Sequence, residues 1–103
     1  MILLYIPCKD EDEARRIASH LLDLRLAACA NMFPVRSMYR WKGRLEDQDE
    51  VVLVVKTRDS LAKKTEQEVA KVHSYEVPCI IRIKGTANTP FDKWLNKETG
   101  KAT

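Results

Sequence analysis

The run Cys29-Ala30-Asn31-Met32-Phe33-Pro34-Val35-Arg36-Ser37-Met38-Tyr39-Arg40-Trp41, followed by Lys42-Gly43-Arg44 and then by Val51-Val52-Leu53-Val54-Val55, decides the fold. Its first part alternates. Cys29, Asn31, Phe33, Val35, Ser37, Tyr39 and Trp41 fall on one side of an extended chain, with Arg36, Arg40 and Lys42 among those on the other. That is a long strand. Lys42-Gly43-Arg44 supplies a turn, and Val51 to Val55 returns as a second strand, giving a hairpin with a charge-rich tip. Pro34 has no backbone donor, which predicts an edge position or a bulge.

Working outward, Ile2 to Ile6 is an unbroken apolar run closed by Pro7 and reads as a strand. Asp10 then opens a helix. Asp10 and Glu13 make a capping-box-like pair, Glu11 and Asp12 suit the positive end of the helix dipole, and Ala14, Ile17, Ala18, Leu21 and Leu22 repeat at helical spacing. Beyond the hairpin, Thr57 or Asp59 is suited to cap a second helix that turns Leu61, Thr65, Val69 and Val72 inward and ends near His73. Pro78 opens a last strand, Cys79 to Ile83, and Phe91, Trp94 and Leu95 form one amphipathic turn after Gly85. The chain past Thr99 reads as disordered.

The order β-α-β-β-α-β with a small C-terminal helix is the ferredoxin-like split pattern: one α+β domain over residues 1–103, with helices on one face of a four-stranded antiparallel sheet. The two strands predicted to be central, Ile2 to Ile6 and Val51 to Val55, are apolar at odd and even positions alike, although a sheet with one wet face should alternate. No other segment is long enough to cover the second face, so the pattern predicts self-association through the sheet.

At 103 residues the chain has room for one compact domain, and 18 Lys+Arg against 15 Asp+Glu leaves a net charge of only +3. That excess falls short of a dedicated nucleic-acid face, and Val51 to Val55 carries no aromatic residue on which a base could stack. Apolar runs of strand length exclude a spanning helix, so no membrane partner is expected. Three widely spaced cysteines and no export signal fit a reducing, cytoplasmic setting. Neither a phosphate-binding glycine loop nor an acid-base-nucleophile constellation is visible, and the acidic loop Lys9-Asp10-Glu11-Asp12-Glu13 would repel an anionic substrate, so no enzymatic activity is expected.

The remaining chemistry is that of soft metals, since thiolate and imidazole suit copper(I) and zinc. Cys8, Cys29, Cys79 and His73 are the candidate ligands, although a cysteine taken alone is more often a buried small hydrophobe. The fold expected here brings Cys8, His73 and Cys79 toward one end of the sheet and leaves Cys29 at the other, so uniting all four requires a subunit interface. The loop His73-Ser74-Tyr75-Glu76-Val77-Pro78 gathers imidazole, phenol and carboxylate where binding chemistry is commonly carried. Its other reading is a packed Tyr75 with Glu76 in an ion pair, and Tyr39 and Trp41 read as interface anchors.

Four blocks, Arg25-Leu26-Ala27-Ala28-Cys29-Ala30-Asn31, Ser37-Met38-Tyr39-Arg40-Trp41-Lys42-Gly43, Lys56-Thr57-Arg58 and His73-Ser74-Tyr75-Glu76-Val77-Pro78, resemble the CutA divalent-cation tolerance family, and Phe91-Asp92-Lys93-Trp94-Leu95 looks like that family's C-terminal helix. The resemblance implies a tight homotrimer of ferredoxin-like protomers that binds copper or other divalent ions, with Cys29 and His73 as carried-over ligands and Cys8 and Cys79 as accessory ones. It also implies an architecture similar to the nitrogen-regulatory PII trimers, in which an intersubunit cleft lined by Tyr39, Trp41, Lys56, Tyr75 and Glu76 would hold a small ligand. Ser74 stands where family members usually carry proline, which predicts a looser loop.

Overall fold

Seven residues, Ile2–Cys8, form β1 with even positions buried and odd positions half-buried. A computed structural model describes residues 1–100 and continues through α1 (Glu11–Asp23), β2 (Cys29–Trp41), β3 (Arg44–Thr57), a single 3-10 turn (Asp59–Leu61), α2 (Ala62–Val72), β4 (Ile81–Lys84) and α3 (Thr89–Glu98). The sheet order is β2-β3-β1-β4 and every pairing is antiparallel. This is the ferredoxin-like α+β arrangement expected from the sequence, with β3 and β1 central and a third helix added.

Register sorts the side chains into two faces. Leu4 lies opposite Val55, and Ile6 opposite Leu53; all four are buried against α1 and α2 together with Ile17, Leu21 and Val69. The other face carries Leu3, Tyr5 and Val54, half-buried, beside Phe33, Ile81 and Ile83, which remain exposed. The two-sided apolar character of the central strands therefore leaves one face incompletely covered.

The hairpin is longer than its apolar residues suggest, because β3 begins at Arg44 rather than Val51. The acidic run stays in register through cross-strand partners: Arg36 donates to Asp47 at 2.7 Å and to Asp49 at 3.0 Å, and Gln48 bonds the Tyr39 hydroxyl. Only Lys42 and Gly43 remain for the turn, both at positive φ (51° and 79°), the conformation a right-twisted two-residue hairpin demands. Pro34 sits within the outer strand β2 in continuous pairing with Val51, so it takes the edge position and no bulge.

Other boundaries differ for definable reasons. β4 starts at Ile81, leaving Cys79 and Ile80 in the preceding loop, because pairing with β1 stops at Tyr5: Pro7 offers no N–H and its carbonyl is taken by the His73 ring. Neither Thr57 nor Asp59 caps α2. The Asp59 carboxylate instead meets the Met1 ammonium at 3.0 Å, and the buried Thr57 hydroxyl has no hydrogen-bond partner among the described residues. Leu22 and Val72 lie at the exposed margins of their helical stripes. The C-terminal segment is a ten-residue helix with Leu95 buried, and Gly100 is tied back by donating to the Arg25 carbonyl at 2.9 Å; the disorder expected past Thr99 otherwise falls outside the described residues.

Candidate functional site

Asp10 caps α1 by accepting from the Glu13 amide at 2.8 Å, and the first turn this creates turns the Glu13 side chain into the protein, where it has no solvent exposure. One Glu13 oxygen accepts from the Lys9 amide and the other from the Ser74 amide, at 2.9 and 2.8 Å. His73, the residue that ends α2, donates from Nε2 to the Pro7 carbonyl at 2.8 Å, while its Nδ1 accepts from the Tyr75 amide at 3.1 Å. A carbonyl can only accept and an amide can only donate, so the tautomer follows from the partners. Cys8 completes the group, its thiol directed at the Ile6 carbonyl at 3.5 Å.

Cys8, Glu13 and His73 are all buried, and one ligand atom from each lies within 4.8 Å of the others. Burial and the neighbouring carboxylates of Glu13, Glu50 and Asp10 push the Cys8 thiol up to about 12, so it holds its proton. Burial alone would raise the Glu13 carboxyl, but hydrogen bonds from Ser74 and Lys9 together with His73 bring it below the usual carboxylate range. Thiolate and imidazole are donors for soft and borderline ions, and the carboxylate adds a harder oxygen donor that zinc also takes. At rest every one of them is already engaged, so the cluster is closed, and metal entry must release the Cys8 proton to solvent and exchange protein hydrogen bonds for metal bonds. Ser74, expected to loosen its loop, instead pins it, because its N–H makes the bond to Glu13 that a proline could not.

Beside this cluster, on the sheet face away from the helices, a cleft of about 720 Å3 opens between the β2–β3 hairpin and the loop from α2 to β4. Tyr39, Trp41 and Glu50 line it from the hairpin; Tyr75, Glu76 and Cys79 line it from the loop. The Tyr75 hydroxyl donates to Glu50 Oε2 at 2.6 Å, tying loop to sheet. Burial and that bond to an anionic partner raise the Tyr75 phenol, so it keeps its proton; Tyr39 is raised as well, by burial and the charges of Glu50 and Glu46. At the mouth, Lys42 Nζ stands 3.5 Å from a Glu76 oxygen and 5.6 Å from the Trp41 ring centroid.

Comparison with known proteins decides the family. Residues 2–98 match the CutA1 divalent ion tolerance protein family. The chain belongs to that family. The divalent-cation tolerance protein CutA of Pyrococcus horikoshii is 38% identical over 102 residues, covering 98% of this chain and all of the relative. Among solved structures similar to this CutA1-family chain, that of the Archaeoglobus fulgidus CutA, described as periplasmic, superposes with a TM-score of 0.91 at 37% identity, covering 95% of this chain and 98% of its own. A Nostoc structure described as a PII-like protein CutA in apo form reaches 0.90 at 26% identity, covering 97% and 98%. No helix among the described residues is long and apolar enough to cross a membrane.

Within this CutA1-family chain the four metal-ligand candidates separate. Cys8 and His73 meet in the buried cluster; Cys79 is exposed at the cleft; Cys29 is half-buried, level with Lys56 and Leu3 at the opposite end of the sheet from Cys8. Lys56, expected among the cleft residues, lies apart from the other four because β3 carries it to that far end, where its Nζ is 3.8 Å from the Cys29 sulfur and 5.5 Å from the Phe91 ring centroid. Glu13 and Glu50 are site residues that no motif in the sequence marks. Glu13 was legible only as a capping residue, and Glu50 only as one charge in an acidic run.

Proposed function

We propose that this chain is a non-catalytic divalent-cation tolerance protein that acts as a homotrimer in the cytoplasm and takes copper, or another thiophilic or divalent ion, as cargo. The observation that carries this reading is the convergence of Cys8, Glu13 and His73 within 4.8 Å in a chain of the divalent-cation tolerance family. Trimer formation is supported by the exposed apolar residues of the uncovered sheet face, and a reducing location by three unpaired thiols. A non-catalytic role is supported by His73, whose two ring nitrogens are both occupied by backbone groups. Native mass spectrometry during anaerobic copper(I) titration reads subunit number and bound metal together. Cys8→Ser is expected to lose the bound metal while Cys29→Ser and Cys79→Ser keep it. Retention in Cys8→Ser with loss in Cys29→Ser would instead move the site to the far end of the sheet.

The cleft favours a second reading, that of a PII-like module holding a small molecule, because its volume and its aromatic and charged lining suit a ligand rather than a bare ion. Ligand-dependent stabilisation in a thermal-shift screen at millimolar concentration tests it.

A further inference from the structure

We propose that the cleft between the β2–β3 hairpin and the α2–β4 loop is a site for a small organic cation, an alkylammonium, held by Glu50 and Glu76 among the rings of Tyr39, Trp41 and Tyr75. This deepens the small-ligand reading of the cleft and rests on it.

Three observations carry the proposal. Glu50 is more than nine-tenths buried and lines the cleft, yet only its Oε2 is engaged, by the Tyr75 hydroxyl; among the described residues nothing donates to Oε1. Oε1 is not sealed from solvent, so it stays open on the cleft side as a free acceptor on a carboxylate otherwise surrounded by protein, where its charge is weakly screened and attracts a cation. The chain's own Lys42 already brings an ammonium to the mouth, between the Trp41 ring at 5.6 Å and Glu76 at 3.5 Å, which is the pairing of ring face and carboxylate that recognises such groups. The guanidinium that lines the cleft, Arg36, is committed to Asp47 and Asp49, so it does not offset the carboxylates. Lys42 then acts as an internal competitor at the rim.

The test uses the assembled protein with Trp94→Phe, which leaves Trp41 as the sole tryptophan, and follows its fluorescence against choline at constant ionic strength, with ADP as an anionic probe in a parallel titration. Choline is expected to give a saturable change. Glu50→Gln, whose amide oxygen still accepts from Tyr75, should weaken it by about tenfold or more, and Lys42→Met should tighten it. Saturation by ADP but not choline overturns the cation assignment and leaves the small-ligand reading standing, whereas saturation by neither removes both. Choline binding unchanged in both Glu50→Gln and Lys42→Met also overturns the assignment.

Discussion

Glu13 is a carboxylate without solvent exposure that holds two backbone segments at once, the Lys9 turn ahead of α1 and the Ser74 loop after α2. Its pKa in the folded chain is depressed, so the unfolded chain takes up the proton first. The stability it confers is therefore complete above the unfolded value of about 4.3 and disappears as pH falls through the lower folded value. Glu13→Gln keeps the shape but turns an NH2 toward an amide N–H, and is expected to cost about 1–3 kcal/mol at neutral pH. Denaturant unfolding at fixed subunit concentration should show that deficit shrinking on acidification to about pH 3. An equal deficit at both pH values would mean that the carboxylate charge is irrelevant to the lock. His73 and Tyr75 extend the same lock through Pro7 and Glu50, which is why the buried cluster and the cleft share one loop.

At the scale of elements, the hairpin is the feature that builds the cleft, since β2 and β3 pair continuously from Cys29 and Lys56 to Trp41 and Arg44. A turn of only Lys42 and Gly43 closes it, and Gly43 at φ 79° has nothing within 4 Å of an added Cβ. Space is thus not the constraint; backbone conformation is. Gly43→Val is expected to destabilise by about 1–2 kcal/mol and to speed amide exchange at the hairpin tip first, whereas Lys42→Asn should be neutral or slightly stabilising because Asn tolerates positive φ. Protection lost uniformly along β2 and β3 in Gly43→Val would show that the hairpin opens as one unit rather than from its tip.

For the whole molecule, the decisive surface is the sheet face opposite α1 and α2. Phe33, Ile81 and Ile83 remain exposed there beside half-buried Leu3, Tyr5 and Val54, a contiguous apolar face suited to a second copy. Ile81→Glu would bury a charge in such an interface, and sedimentation at micromolar concentration is expected to report smaller species with the circular dichroism of a folded chain. An unchanged assembly would exclude this part of the face from subunit contact.

The element order, the split βαβ topology and the alternation that sorts β2 into two faces are written in the order of residues along the chain, because they follow from local periodicity and from turn and capping chemistry. The sequence also made visible the uncovered face, since Val51 to Val55 and Ile2 to Ile6 are apolar on both sides. Tertiary structure alone decided how far β3 runs, because the acidic residues from Glu46 to Glu50 join a strand only through partners on β2 such as Arg36. It decided the truncation of β4 too, through a proline on β1 and a histidine 66 positions away in the chain. Above all it assembled the site. Cys8, Glu13 and His73 belong to three separate segments, and Glu50 meets Tyr75 across the cleft; such meetings depend on how layers pack, which residue spacing along one chain does not encode.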